Sequence, residues 1–79
     1  MKDFSLFGTS ACHLCELARG MLLQQQETLG GFTFEEVDIS ASDALFERYG
    51  LRIPVLQHPD HNELGWPFTE QQLQDFLQS

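Results

Sequence analysis

Two cysteines carry the most reactive chemistry in this sequence. They are Cys12 and Cys15, separated by His13 and Leu14, and the chain contains no other cysteine. Hydrophobic spacing predicts that a strand ends shortly before them and that a helix begins at His13. A cysteine at a helix N-terminus faces unpaired backbone N–H groups and the positive end of the helix dipole, which stabilise its thiolate. We therefore predict that Cys12 is an exposed nucleophile and that Cys15 is a less accessible resolving thiol.

The same pair of cysteines permits two other interpretations. A structural disulfide would close a short loop, for which the chain-entropy estimate gives a stabilisation of only roughly 2 kcal/mol. A metal site would need further ligands, and the remaining soft or borderline candidates are His13, His58 and His61. A helix directs His13 away from Cys15, and we expect the other two histidines to be solvated in a turn. The sequence therefore predicts no metal site and no permanently bound cofactor.

The charge of the chain narrows the range of partners. Twelve acidic residues against four basic ones give a formal net charge of −8, which repels nucleic acid and anionic membranes. No apolar run is long enough to span a bilayer, and Met1–Ser5 lacks the basic and then apolar layout of a signal peptide. We expect a cytoplasmic protein that forms a single domain over residues 1–79 and is a monomer.

Turn residues and hydrophobic periodicity divide the chain into strands and helices. The predicted strands are Asp3–Phe7, Phe32–Ile39, Ile53–Gln57 and Glu63–Trp66, and the predicted helices are His13–Leu29, Ala41–Tyr49 and a last helix after Thr69. The first helix is long enough to cross over the sheet, so the first two strands are parallel, whereas the short turn at His58–Asn62 makes the last two antiparallel. The order βαβαββα predicts an α/β fold in which a mixed sheet of four strands is flanked by helices.

The same patterns predict the ends and inward faces of the helices. Gly30-Gly31 ends the first helix in a left-handed turn, Ser40 with Asp43 caps the second, and Thr69 with Gln72 forms a capping box at the third. The inward face of the first helix is an apolar stripe, namely Leu14, Leu17, Ala18, Met21 and Leu22. The inward face of the second helix is Leu45, Phe46 and Tyr49.

The motifs together resemble the thioredoxin fold in its minimal glutaredoxin form. Three segments carry the resemblance: Phe4–Phe7, Cys12–Cys15 at a helix start, and Arg52–Leu56. The ending Glu63-Leu64-Gly65-Trp66-Pro67-Phe68 is similar to that of small bacterial glutaredoxin-like proteins, and the similarity covers essentially the whole chain. The resemblance implies dithiol–disulfide exchange with a disulfide-containing protein or a small thiol as substrate.

The resemblance also implies how the substrate is held. It places a cis peptide bond between Ile53 and Pro54, facing the cysteines. The backbone of Ile53 would then pair with a bound substrate peptide, as in strand addition.

Three departures from the usual glutaredoxin pattern concern glutathione. Thr9 stands where a lysine usually precedes the first cysteine, and His13 stands where a proline usually follows it. Gly65-Trp66-Pro67-Phe68 replaces a Gly-Gly pair with a following Asp, and we expect Trp66 to be a packing residue. Arg52 is then the one cation expected to reach a carboxylate. We therefore predict weak glutathione binding.

Three functions follow from these observations and stay open. The first is a thiol–disulfide oxidoreductase; its catalytic residues would be Cys12 and Cys15, and its substrate-binding residues Thr9, His13, Arg52, Ile53 and Pro54. The second is a thioredoxin-fold module that binds a protein partner with little turnover. The third is a metal or iron–sulfur carrier that uses both thiols.

Overall fold

Four strands and three α-helices form residues 2–79, the part of the chain that the computed structural model describes. The strands are β1 Lys2–Gly8, β2 Phe32–Asp38, β3 Val55–Gln57 and β4 Glu63–Gly65. The helices are α1 His13–Thr28, α2 Asp43–Tyr49 and α3 Glu70–Gln78, and a short 3-10 helix covers Ile39–Ala41. None of these helices combines the length and hydrophobicity needed to cross a membrane.

The four strands form one mixed sheet in the order β2-β1-β3-β4. β1 is parallel to β2 because α1 carries the chain back across the sheet between them, and β3 is antiparallel to both β1 and β4. In this register Gly8 pairs with Asp38, and Phe7 pairs with Val55. The C-terminal ends of β1 and β2 and the start of β3 therefore lie at the same end of the sheet. The predicted fold class is confirmed.

Both faces of the sheet are covered by apolar residues. The face under α1 and α3 carries the larger cluster, consisting of Phe4, Leu6, Ala18, Leu22, Phe32, Leu56, Phe68, Leu73 and Leu77. The face under α2 carries a smaller one, consisting of Phe7, Ile39, Tyr49 and Val55. Within the smaller cluster the rings of Phe7 and Tyr49 are stacked at a centroid distance of 4.4 Å. Burial of these two clusters is the main stabilising term for so short a chain.

The rotation of α1 differs from the prediction. Leu14 and Leu17 were placed on the inward face, but their side chains are 43% and 46% exposed. The buried face consists of Cys15, Ala18, Leu22 and Gln25, so Ala18 and Leu22 are buried as predicted. Small side chains at the first two of these positions let the start of the helix lie close to the sheet. A prediction from hydrophobicity alone does not include this effect of side-chain size.

The entry to α2 also differs from the prediction. Ser40 was expected to cap this helix, but the 3-10 helix intervenes, and Ser42 accepts a hydrogen bond from the Leu45 N–H at 3.3 Å as the actual cap. Phe46 was expected to point inward, but it is 58% exposed. Phe46 is exposed because α2 packs on the sheet through Tyr49, and Phe46 does not lie on that face of the helix.

His58 is buried, although the sequence suggested a solvated turn residue. Its ring packs edge-on against Phe4 and Phe76 at centroid distances of 5.1 Å and 5.7 Å. The Asp60 N–H donates to its Nδ1 at 3.1 Å, and its Nε2 lies 2.9 Å from the Ser79 backbone oxygen. Both ring nitrogens thus have polar partners, which offset the free-energy cost of burying the imidazole.

Several local predictions are confirmed. Gly30 and Gly31 have φ angles of 65° and 74°, the left-handed conformation that ends α1. The capping box of Thr69 and Gln72 is present at α3. The peptide bond between Ile53 and Pro54 is cis, and so is the bond between Trp66 and Pro67, which was not predicted. Trp66 packs against the larger cluster, with its ring edge-on to Phe68 at 5.0 Å.

Candidate active site

The cysteines lie at the end of the sheet where β1 and β2 end and β3 begins. Cys12 is the residue that caps α1, and its backbone is extended, with φ −111° and ψ 108°. Cys15 is in the first turn of the helix, 5.2 Å from Cys12 between Cα atoms, and the two residues form a disulfide. The strand-to-helix transition therefore presents both sulfurs together, as the spacing predicted.

The helix N-terminus acts directly on the Cys12 sulfur. The backbone N–H of Cys15 donates a hydrogen bond to Cys12 Sγ at 3.1 Å. This N–H is one of those left without a partner by the start of the helix, so a negative charge on Cys12 would gain a hydrogen bond and a favourable dipole. Cys12 is partly exposed, whereas Cys15 is only 8% exposed. The two sulfurs thus differ in access and in the group that stabilises them.

Gly8 is a site residue that the sequence did not reveal. It is the last residue of β1, and a Cβ built on it would lie 2.7 Å from Cys15 Sγ. The sequence suggested only that Gly8 helps to stop the strand. Its position four residues before the first cysteine gave no sign that Cys15 packs on its backbone.

A cleft of about 320 Å³ opens beside Cys15, between the first turns of α1 and the end of β2. Its charged lining consists of the carboxylates of Glu16, Glu36 and Asp38 and the guanidinium of Arg19. Arg19 lies 3.6 Å from Glu36 and pairs with it. The cleft therefore carries more negative than positive charge.

The carboxylate of Asp38 is ionised more readily than an ordinary aspartate. The Ser40 hydroxyl and backbone N–H donate to its Oδ1 at 2.6 Å and 2.9 Å. These hydrogen bonds hold the pKa of Asp38 below its usual value. The cleft beside Cys15 thus keeps this negative charge into mildly acidic solution.

The two predicted site residues on the chain around Cys12 have different surroundings. Thr9 is half-buried and lines the cleft beside Cys15. His13 is the first residue of α1, and its side chain is 80% exposed, with Nδ1 3.6 Å from Glu16 Oε2. Thr9 is therefore placed to touch a molecule bound beside the sulfurs, while His13 lies on the outer surface of the helix start.

Ile53 and Pro54 lie just before β3, at the same end of the sheet as the cysteines. Pro54 is buried and directly precedes Val55, the partner of Phe7 in β1. The Pro54 carbonyl accepts a hydrogen bond from the Trp66 N–H at 3.2 Å, and the Ile53 N–H donates to the Tyr49 carbonyl at 3.2 Å. The Ile53 N–H is therefore used within the chain.

Arg52 forms an ion pair within the protein. Its Nη2 lies 3.0 Å from Glu63 Oε1, and Glu63 pairs with Gln57, at the opposite end of β3 from Pro54. The Tyr49 hydroxyl donates to the other oxygen of Glu63 at 2.5 Å. The guanidinium expected to reach a substrate carboxylate is therefore occupied by a carboxylate of the protein itself.

The carboxylate of Glu63 is shared by two donors, which changes the acidity of the group. The hydrogen bond from Tyr49 holds the pKa of Glu63 below its usual value, and Arg52 acts in the same direction, while burial opposes them. Burial raises the pKa of Tyr49, and the same hydrogen bond adds to the effect. The three side chains tie the end of α2 to β4 and so hold the loop that leads to Ile53.

Within residues 2–79, potential metal ligands do not gather in groups of three or more. Both cysteines are joined to each other in this structure. The His13 side chain is exposed and lies 3.6 Å from Glu16, and His58 is buried in the core. The structure thus provides two sulfurs and no third ligand beside them in the part of the chain that it describes.

Comparison with known families shows which family the chain belongs to. The model of the glutaredoxin-like domain family (DUF836) matches residues 4–78, a span that includes both cysteines and the cis-proline loop. The chain belongs to this glutaredoxin-like family. A search of curated proteins finds no match. The family and the disulfide-bonded Cys-x-x-Cys pair fit a thiol redox role.

Solved structures share the fold of this glutaredoxin-like chain. The protein XcR50 from X. campestris is 39% identical, with 95% of each chain covered and a TM-score of 0.79. The protein Ne2328 from Nitrosomonas europaea is 25% identical, with 95% of this chain and 89% of that chain covered and a TM-score of 0.80. A malarial protein at 12% identity shares the fold alone, with a TM-score of 0.73.

Proposed function

We propose that this glutaredoxin-like protein is a thiol–disulfide oxidoreductase in which Cys12 attacks and Cys15 resolves. The observation that carries the proposal is the hydrogen bond from the Cys15 N–H to Cys12 Sγ at 3.1 Å. The donor belongs to the first turn of α1, so the sulfur that is more open to solvent is also the one stabilised as a thiolate. A purely structural disulfide would not need that asymmetry.

Each step of the proposed exchange conserves thiols and electrons. The Cys12 thiolate attacks one sulfur of a substrate disulfide; a mixed disulfide forms, and the other substrate sulfur leaves as a thiolate that takes up a proton. The Cys15 thiol then loses its proton and attacks Cys12 Sγ, which releases the second substrate thiol. The substrate gains two electrons, and the Cys12–Cys15 disulfide is restored for reduction by an external thiol.

The roles of the two cysteines can be tested by trapping. Cys15→Ser should accumulate a mixed disulfide with a disulfide substrate, because no thiol remains to resolve it. The matched variant Cys12→Ser should accumulate little, because its remaining thiol is buried. Intact-protein mass spectrometry after acid quenching measures both adducts. Equal adduct formation by the two variants would contradict the assignment of roles.

The surroundings of the site favour substrates that are not anionic. The cleft beside Cys15 carries Glu16, Glu36 and Asp38, and Arg52 is engaged with Glu63. We therefore propose a protein disulfide or a neutral or cationic small disulfide as substrate, with weak binding of glutathione. A protein that cycles between dithiol and disulfide in this way would work in a reducing compartment such as the cytoplasm.

A protein-binding module is the second candidate, and one observation favours it. Leu14, which lies between the cysteines in sequence, and Leu17, two residues after Cys15, are both about half exposed on α1. Exposed leucines at such a place are suited to contact with another protein. The two candidates differ in turnover: a binding module would form a complex with its partner but would not be reduced and reoxidised repeatedly by a thiol reductant system.

A further inference from the structure

Gly8 leaves room for the Cys15 sulfur against the central strand of the sheet. An added Cβ at this position would lie 2.7 Å from Cys15 Sγ and 3.2 Å from Cys15 Cβ. Both distances are shorter than the contact of about 3.5–4.0 Å that suits non-bonded carbon atoms. We infer that Gly8 is a positioning residue that controls how easily the Cys12–Cys15 disulfide is reduced. The inference deepens the proposed exchange function and rests on it for its biological meaning.

The strand cannot move away from an added methyl group. β1 lies between β2 and β3, with Gly8 paired to Asp38 on one side and Phe7 paired to Val55 on the other. A shift of Gly8 would disrupt its own pairing with Asp38 and displace the adjoining Phe7, which pairs with Val55. The contact must therefore be relieved at Cys15.

The helix is also held in place. Ala18 and Leu22, one and two turns beyond Cys15, are completely buried in the larger cluster on the same face of the sheet. Lifting the start of α1 from the sheet would open a gap under these residues, which close packing penalises. Rotation of the Cys15 side chain, which moves Sγ but not Cβ, is the adjustment that remains for the 2.7 Å contact, and the 3.2 Å contact with Cβ is common to both redox states.

That rotation is available in only one redox state. In the disulfide, Cys15 Sγ is bonded to Cys12 Sγ, so it cannot turn away from a methyl group at position 8. In the dithiol, the free thiol can rotate into the adjoining cleft, which both Gly8 and Cys15 line. A side chain at position 8 therefore destabilises the disulfide more than the dithiol, and glycine at this position favours the disulfide.

The test is the thiol–disulfide equilibrium of Gly8→Ala. The variant and the parent are each equilibrated with mixtures of reduced and oxidised dithiothreitol, and the oxidised fraction is read by alkylation and mass spectrometry. We expect the equilibrium to shift toward the dithiol at least tenfold, which corresponds to about 30 mV for a two-electron couple. Gly20→Ala is the matched control, because it lies in α1 and a Cβ there meets nothing within 4 Å; its equilibrium should change less than twofold.

A second measurement covers the case in which Gly8→Ala folds poorly. In a Cys15→Ala background the sulfur is absent, so Gly8→Ala should reduce the folding equilibrium constant at least tenfold less than it does in the oxidised parent, as measured by urea unfolding. A variant that folds as the dithiol but not as the disulfide also supports the inference. An unchanged dithiothreitol equilibrium, or equal losses of stability in both backgrounds, would overturn it.

The inference and the proposed function fail separately. The dithiothreitol equilibrium and the unfolding measurement need no substrate. A protein that shows the Gly8 effect but reduces no disulfide substrate would refute the exchange function alone. A protein that reduces substrates while Gly8→Ala leaves the equilibrium unchanged would refute the positioning role alone.

Discussion

Cys12 and Cys15 are one helical turn apart, yet their sulfurs meet different surroundings. Cys12 lies before the helix, partly open to solvent, and accepts a hydrogen bond from a helix N–H. Cys15 lies within the helix, with its side chain against Gly8 and only 8% of its surface exposed. The two sulfurs thus differ in exposure and in the groups that contact them, as the proposed division into an attacking and a resolving cysteine requires.

The difference between the sulfurs predicts their relative reactivity in the reduced protein. We expect iodoacetamide to alkylate Cys12 at least about tenfold faster than Cys15 at neutral pH, because access and thiolate character both favour Cys12. Peptide mapping after short pulses of reagent measures the two rates. In urea, where the helix is unfolded, the rates should converge. Equal rates in the folded protein would show that the helix start does not distinguish the sulfurs.

Tyr49, Arg52 and Glu63 connect three elements behind the site. The Tyr49 hydroxyl at the end of α2 and the Arg52 guanidinium in the following loop both donate to the Glu63 carboxylate on β4. The Tyr49 ring also stacks on Phe7 of β1. These contacts tie the segment that carries Ile53 and Pro54 to the elements around it.

This connection predicts a pH-dependent stability. Glu63→Gln should lower the free energy of unfolding by about 1.5–3 kcal/mol at pH 7, the range for hydrogen bonds to a charged group. The pKa of Glu63 is lower in the folded state than its ordinary value of 4.5, so its contribution is complete above that value and is lost as pH falls through the lower folded value. Urea unfolding at a series of pH values from 7 to about 3 measures the difference.

The matched control for this prediction is Glu27→Gln. Glu27 is exposed in α1, so its replacement should change stability by less than about 0.5 kcal/mol. The gap between the parent and Glu63→Gln should narrow in acid, while the gap for Glu27→Gln stays small throughout. A gap for Glu63→Gln that is the same at both ends of the pH range would show that the charge of this carboxylate is not what holds the loop.

The start of α3 supplies a second prediction about an element. The Thr69 hydroxyl accepts the Gln72 N–H at 3.1 Å, and the Gln72 side chain accepts the Thr69 N–H at 2.8 Å. Thr69→Ala should lower the free energy of unfolding by about 1 kcal/mol, because it removes the N-cap acceptor. Thr69→Ser keeps the hydroxyl and should retain most of the stability. Denaturant unfolding compares the variants, and equal losses in both would attribute the effect to the lost methyl group.

The charge of the entire protein bears on its choice of substrate. The chain carries a formal net charge of −8, and the cleft beside Cys15 adds local carboxylates. Exposed charges act over a Debye length of about 8 Å at physiological ionic strength and over longer distances in dilute buffer. Approach of an anionic disulfide to Cys12 is therefore opposed, and approach of a cationic disulfide is assisted.

Two small disulfides of opposite charge test this effect. The reduced protein should react faster with cystamine, which carries two ammonium groups, than with dithiodipropionate, which carries two carboxylates, and the ratio should fall as salt is added. Stopped-flow fluorescence of Trp66 or thiol quenching follows the reaction. The same ratio measured for free dithiothreitol corrects for the intrinsic reactivity of the reagents. A corrected ratio that does not respond to salt would contradict electrostatic selection.

The local chemistry of this protein follows from short stretches of sequence. The spacing of Cys12 and Cys15 at a helix start, the left-handed glycines at 30–31 and the capping box at Thr69 each depend on residues close together in the chain. The order of strands and helices follows from hydrophobic spacing, and with crossover lengths it predicts the mixed sheet. These features were predictable because each depends on local backbone geometry or on a connection too short to permit an alternative.

Contacts between distant segments required the tertiary structure. The inward face of α1, the burial of His58, the pairing of Arg52 with Glu63 and the fit of Gly8 under Cys15 all join residues from different elements. Leu14 and Leu17 are more hydrophobic than Cys15, so a hydrophobic stripe points to the wrong rotation of the helix. Close packing is decided by the shapes of both partners at once, and a single segment of sequence contains only one of them.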